Sequence, residues 1–162
     1  KEVDLDDVER TVRDCRRLGI KTHGTFLLGL PGENRESALR TIDFALRLRT
    51  HTLQFAIATP YPGTALFARA QREGWLTKQD WRDFDPAGEA VLSYPGYSCD
   101  DIAAMHDLAW RRWQWHILTH QPGTVLHHYG NAIRREGLAG LFRIARYSVS
   151  RVLPALRASQ NR

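Results

Sequence analysis

Near the start of the chain, apolar residues recur every three or four positions, at Leu5, Val8, Val12 and Cys15. Acids (Asp4, Asp6, Asp7, Glu9) crowd the first turns of this stretch and Arg13, Arg16 and Arg17 the last, which predicts a helix aligned with its own dipole. Gly19 would end it as a left-handed C′ residue, and Cys15, on the stripe, reads as a small buried hydrophobe. The period then shortens to two. Residues 20–28 read as a strand with His23, Thr25 and Leu27 on one face and Thr22, Gly24, Phe26 and Leu28 on the other. A second helix starts at Asn34 and buries Leu39, Ile42 and Leu46, with Ala38 and Ala45 beside them. In a second strand, residues 52–59, Leu53, Phe55 and Ile57 form a bulky face and Gln54, Ala56 and Ala58 a small, partly polar one, which would line a cavity. Helix, strand, helix, strand with short connections is the pattern of βα units in a parallel sheet.

Each strand runs into a Pro-Gly pair, residues 29–33 reading GLPGE and residues 60–64 PYPGT. Proline presets φ at the first central position of a type II turn and glycine accepts the positive φ of the second. Thr64 is placed to cap a helix over residues 65–73, with Gly74 closing it and Trp75 packing back. Two readings of these turns stand side by side: ordinary connectors, or the rim of a site beyond the carboxyl ends of parallel strands. A phosphate loop is a poor third choice: with no GxxxxGK[ST] and no GxGxxG, a nucleoside triphosphate or dinucleotide would lack its backbone cradle.

Charge changes the picture only at the end of the chain. The 162 residues carry a formal net charge of +5, but residues 121–162 hold seven arginines against Glu136 alone, a net of +6, leaving −1 for residues 1–120. An anionic partner would therefore meet the tail. The two cysteines, Cys15 and Cys99, form no CxxC and no metal-site spacing, which suits a reducing compartment and a cytoplasmic location. The chain opens on Lys1 directly into a charged helical pattern, so a true N-terminus elsewhere is expected.

The stretches GIKTHGTFLLGLPGENRESALRTIDFA (residues 19–45) and LQFAIATPYPGTALFARAQREGWL (residues 53–76) resemble the later part of the barrel of radical S-adenosylmethionine enzymes that also carry an N-terminal cobalamin-binding domain. The wording THGTFLLGLPGE and ATPYPGT, with GWL and LSYP after, is most similar to hopanoid-biosynthesis-associated members. The resemblance implies an α/β fold, the C-terminal βα units of a partial (βα)6 TIM-like barrel followed by an α-helical extension. In that family the fifth and sixth strands help hold S-adenosylmethionine. By position this implies apolar contact to the adenine from Phe26 or Leu27, with Gly29, and backbone groups from Ala58, Thr59 and Pro60. The face assignment drawn from the residues themselves puts Thr25, Leu27, Gln54 and Ala58 inward. His23, Thr25, Gln54 and Tyr61 are the substrate-facing candidates. The CxxxCxxC that holds the family's 4Fe-4S cluster is absent, and Cys15 and Cys99 cannot replace three clustered thiolates. Cluster ligands and any cobalamin domain would lie outside this segment, which alone should be inactive.

Beyond Trp75, LTKQDWRDFDP predicts a short helix and turn with Thr77 capping, and EAVLSYPGY a brief extended piece. Ser98 then starts a helix whose Ile102, Met105, Ala109, Trp113 and Ile117 recur at helical spacing. Trp110 and Trp115 fall off that stripe; within WRRWQW they could stack on bases, sit at a membrane interface or cover the barrel. His116 and His120 are four apart, and His127 and His128 follow, but no acid or cysteine completes a zinc set, and no metal site is assigned. A last stripe runs through Leu138, Leu141, Phe142, Ala145, Val149, Val152, Leu153 and Leu156, with arginines mostly off it. Such a basic amphipathic helix either closes a core or lies on an anionic bilayer, and residues 138–157 are read as a peripheral membrane contact.

The organisation expected is the end of a barrel over residues 1–76, connecting elements over 77–97 and a basic helical extension over 98–162. The function expected is that of a radical S-adenosylmethionine enzyme whose 5′-deoxyadenosyl radical modifies an unactivated carbon of a small or lipid substrate such as a hopanoid. Two alternatives are a methylthiotransferase-like enzyme acting on tRNA, whose nucleic acid would meet the basic tail, and a non-catalytic basic membrane-binding module.

Overall fold

The computed structural model describes residues 3–78, 80, 82, 84–85, 90–120 and 123. The first helix, α1 (Leu5–Arg17), is capped by Asp4, whose carboxylate accepts the Asp6 N–H at 2.9 Å. It closes as the sequence predicts: the Gly19 N–H reaches the Arg16 carbonyl and the Ile20 N–H the Cys15 carbonyl at 2.8 Å, the two bonds of a Schellman motif. The expectation that its stripe is buried is corrected. No α1 residue is buried and Cys15 is half-exposed; among the described elements the main neighbour of α1 is α2 (Arg35–Leu48), and one helix alongside does not cover its stripe. The link between the two helices is polar. The Arg16 guanidinium donates to the Leu48 and Arg49 carbonyls at 2.6 and 3.0 Å, taking up carbonyls that the end of α2 leaves open, and Arg47 meets Glu9 at 3.2 Å.

Strand β1 (His23–Leu28) begins three residues later than the sequence pattern suggests. Ile20 cannot start it, since its N–H is already spent on the Schellman bond, and the Thr22 N–H goes to His51 Nδ1 at 3.3 Å. β1 pairs in parallel with β2 (Thr52–Ile57), from His23 opposite Thr52 to Leu28 opposite Ile57. One further bond, from the Ala58 N–H to the Leu28 carbonyl at 2.8 Å, ends the ladder; Pro60 has no N–H with which to extend it.

Between the strands, α2 starts in a capping box, Asn34 and Ser37 each accepting the other's backbone N–H at 2.9 Å. Its buried line is Ala38, Ile42, Ala45 and Leu48, with Leu39 and Leu46 only flanking it; small alanines let the helix approach the sheet closely. Phe44 stands edge-on to Phe26 at 6.3 Å, and Phe26 lies 5.9 Å from Phe55, so one face of the sheet is sealed by α2 and aromatic rings.

After β2, α3 (Ala65–Arg72) is capped by Thr64, whose hydroxyl accepts the Phe67 N–H at 3.2 Å. Residues 75–77 then run antiparallel to 91–93. The Thr77 N–H bonds the Val91 carbonyl, so Thr77 enters a short ladder where the sequence suggested a helix cap. Val91 and Leu92 join Leu28, Ile42, Phe55 and Ile102 in the core. Tyr94 and Tyr97 bracket a third Pro-Gly turn, and Ser98 opens α4 (Cys99–His120) in a reciprocal cap with Asp101. His106, buried on α4, reaches the Phe55 carbonyl at 3.1 Å. The Thr52 and Ala58 amides point at β1, so by alternation the Phe55 carbonyl points to the far edge of β2, which His106 protects.

The chain divides into two compact units, Lys1–Ala109 and Trp110–Arg162. In the second, the Trp113, His116 and His120 rings form a stack, with 6.0 and 4.4 Å between successive centroids, and Trp115 is exposed. The amphipathic stretch 138–157 and the pair His127 and His128 lie outside the described residues. Among the described residues no helix is long and apolar enough to cross a membrane.

Candidate functional site

Because β1 and β2 are adjacent and parallel, the turns that follow them leave from the same edge of the sheet. Both are type II turns: the Glu33 N–H returns to the Leu30 carbonyl at 3.0 Å with Gly32 at φ +88°, and the Thr64 N–H to the Tyr61 carbonyl at 3.1 Å with Gly63 at φ +84°.

The first turn is fixed at Gly29 from three sides. Its N–H donates to a Glu33 carboxylate oxygen, and its carbonyl accepts the Tyr94 hydroxyl at 2.8 Å. At φ +83° it also lies against α4 so closely that a Cβ would come within 2.9 Å of Ile102 Cγ2. Burial pushes the Glu33 carboxyl above its ordinary value, an effect the Gly29 N–H partly offsets. The Tyr94 phenol is pushed up to about 12, first by burial and then by the Glu33 charge, with Arg69 opposing. Tyr97 is likewise pushed up to about 12, by burial, Glu33 and Asp101 against Arg35, and among the described residues its buried hydroxyl finds no hydrogen-bond partner.

The face of the sheet opposite α2 carries His23, Thr25 and Leu27 beside their register partners Thr52, Gln54 and Ala56. Leu27 stands out there as an aliphatic side chain 49% exposed at the carboxyl end of a strand. Phe26 points the other way, into the rings of Phe44 and Phe55, so of the two adenine-contact candidates Leu27 is the one on the open face. Ala58 and Pro60 are buried, the Thr59 hydroxyl donates to the Ile57 carbonyl at 3.1 Å, and Tyr61 is 47% exposed in the second turn. His23 lies at the other end of the sheet. Its ring meets the Thr52 hydroxyl at 2.7 Å, six residues before Gly29, or roughly 20 Å along an extended strand. Thr25 and Gln54 sit opposite each other at mid-strand. Leu27, Gly29 and residues 58–61 are thus brought to one edge, and His23 is not among them.

Glu33, Tyr94, Ile102 and His106 have supporting roles that sequence reasoning left unassigned. For Tyr94 a signal was there to be read: residues 94–97, YPGY, form a third Pro-Gly turn with Gly96 at φ +78°. Cys15 lies in α1 and Cys99 at the head of α4. Among the described residues no group of three or more histidines, cysteines and acids is placed to hold a metal ion.

A βα pair with its turns gathered at the carboxyl edge is the arrangement in which parallel α/β proteins bind small molecules. The chain is similar to proteins named as methyltransferases and methylthiotransferases. It is 33% identical over 94 residues to an uncharacterized methyltransferase of Pyrococcus horikoshii, across 58% of this chain and 20% of that protein. To the bacteriochlorophyllide d C-8(2)-methyltransferase of Chlorobaculum tepidum it is 28% identical over 76 residues, 47% of this chain and 17% of the other. With a probable threonylcarbamoyladenosine tRNA methylthiotransferase of Pyrococcus abyssi it shares 26% over 77 residues, 46% of this chain and 18% of that one. The chain spans about a fifth of the length of the curated relatives it matches. No protein-family model matches it.

Proposed function

We propose that this chain is a carboxyl-terminal portion of a radical S-adenosylmethionine enzyme that transfers a methyl or methylthio group, and that the turn edge of β1 and β2 forms part of its adenosine-binding wall. The observation that carries this reading is Leu27, an aliphatic side chain left open at the carboxyl end of β1, whose partner strand β2 runs on into residues 58–60. The kinship to methyltransferases and methylthiotransferases supports the same class of chemistry. The residues fit the adenosyl group only in part: Leu27 offers apolar surface and the 58–60 backbone an edge. They do not fit an iron–sulfur cluster, since Cys15 and Cys99 stand on separate helices. The thiolates that would hold the cluster, which when reduced supplies the electron to S-adenosylmethionine, would therefore come from another part of the protein. What this chain does is hold the two turns in register and keep water from one side of the bound nucleoside.

The finer reading places the enzyme in the cobalamin-type group, acting on an unactivated carbon of a hopanoid or other lipid, with residues 138–157 resting on an anionic bilayer. It is carried by the wording of the two motifs and by the basic stripe of the tail. A second reading, a methylthiotransferase acting on tRNA, is favoured by the kinship to the Pyrococcus abyssi protein.

The test is to reduce the full-length protein anaerobically with S-adenosylmethionine and look for 5′-deoxyadenosine. Its formation is expected; none from a protein shown to carry a reduced cluster would refute the class. Cosedimentation with anionic vesicles without affinity for tRNA supports the lipid reading, and salt-sensitive tRNA binding the other.

A further inference from the structure

A residue far along the chain reaches the first turn. At Leu28 the last β1 carbonyl is satisfied by Ala58, and the chain then leaves the sheet. The Gly29 carbonyl has no strand to bond, and the hydroxyl of Tyr94, 65 residues later, donates to it at 2.8 Å from a buried position. The same side chain is anchored on the other βα unit: the Tyr94 ring stands edge-on to Trp75 at 5.0 Å, and Trp75, just past α3, carries the Arg69 guanidinium 4.9 Å above its ring. Tyr94 therefore joins the turn after β1 to the helix that follows the turn after β2.

We infer that Tyr94 is a positioning residue: by holding the Gly29 carbonyl it fixes residues 29–33 relative to Leu27 and so shapes the surface on which the adenosyl group packs. The part of this inference that concerns the adenosyl group rests on the function proposed above. Gly29 and Gly32 both occupy the left-handed region, which glycine adopts without steric cost. Beside the turn's own bond, the Glu33 carboxylate and the packing of Gly29 on Ile102, Tyr94 supplies the long-range hydrogen bond to the turn. Neither the adenosyl group nor the substrate need touch Tyr94 for its loss to be felt.

The experiment compares full-length wild type with Tyr94→Phe, which keeps the ring on Trp75 and removes only the hydroxyl. Two quantities are read: deuterium uptake in peptides covering residues 27–33 and 42–48, and the affinity for S-adenosylmethionine by calorimetry. Loss of one buried hydrogen bond to the turn should weaken binding about three- to tenfold. Exchange should rise in 27–33 and stay unchanged in 42–48. Unchanged exchange in 27–33 overturns the inference, as does a rise of equal size in both peptides, which would make Tyr94 a general prop of the core. Faster exchange with undiminished affinity overturns the link to the adenosyl group while leaving the proposed function standing. If wild type itself fails to bind S-adenosylmethionine, the proposed function falls, and the exchange comparison still decides whether Tyr94 positions the turn.

Discussion

Gly29 and Gly32 sit three residues apart at nearly the same positive φ, yet substitution should affect them differently. An alanine at Gly32 would meet open space and bear only the conformational cost, about 1–2 kcal/mol. At Gly29 the added Cβ would also press on Ile102 Cγ2, an atom next to the backbone of a fully buried residue that cannot swing aside. Urea unfolding should therefore rank Gly29→Ala as clearly more destabilising than Gly32→Ala. Glu33 makes a prediction with a definite sign. Its folded-state value is raised, so its contribution is fully present below the ordinary carboxyl value and is lost as pH rises through the folded one. Compared with Glu33→Gln, wild type should gain relative stability toward acid pH and give it up on the neutral side. Asp101 runs the opposite way. Bonds from the Ser98 hydroxyl and N–H hold its carboxyl below the ordinary value, so the advantage of wild type over Asp101→Asn should be present at neutral pH and disappear as pH falls through the lowered value.

Among elements, three helix caps follow directly from sequence, while the cap expected at Thr77 gave way to a short ladder with residues 91–93. Asn34, Thr64 and Ser98 each precede a helix with a side-chain acceptor in place, and each is used. Asn34→Ala removes an acceptor for the Ser37 N–H and should cost about 1 kcal/mol in thermal or urea unfolding. Strand and helix order, both type II turns and the Schellman ends at Gly19 and Gly74 were legible for the same reason: each depends on residues within a few positions of one another. What could not be read locally was tertiary. The periodicity of α1 announced a buried stripe, but burial depends on what lies alongside, and among the described elements that is mainly α2. The late start of β1 reflects a competition for the Ile20 and Thr22 amides. The roles of Tyr94, Ile102 and His106 arise from contacts across 51 to 73 residues of chain. Strand alternation put His23 on the open face with Leu27, but alternation is blind to which end of a strand carries the site.

Over the whole chain, two parallel strands with their turns along one edge form the arrangement to which the functional reading is attached. Kinship to proteins of which the matched stretch makes up about a fifth is consistent with an edge that gains its remaining walls from other chain segments. That would explain why Leu27 and Tyr61 are left open here while Ala58 and Pro60 are already buried. The most direct trial is S-adenosylmethionine binding by the full-length protein carrying Leu27→Asp. Leu27 is half exposed and lies outside the buried core, so the thermal midpoint should fall little, while a carboxylate in place of apolar surface should lower affinity by about tenfold or more. Undiminished affinity in a folded Leu27→Asp protein would mean that the edge of β1 and β2 does not face the nucleoside.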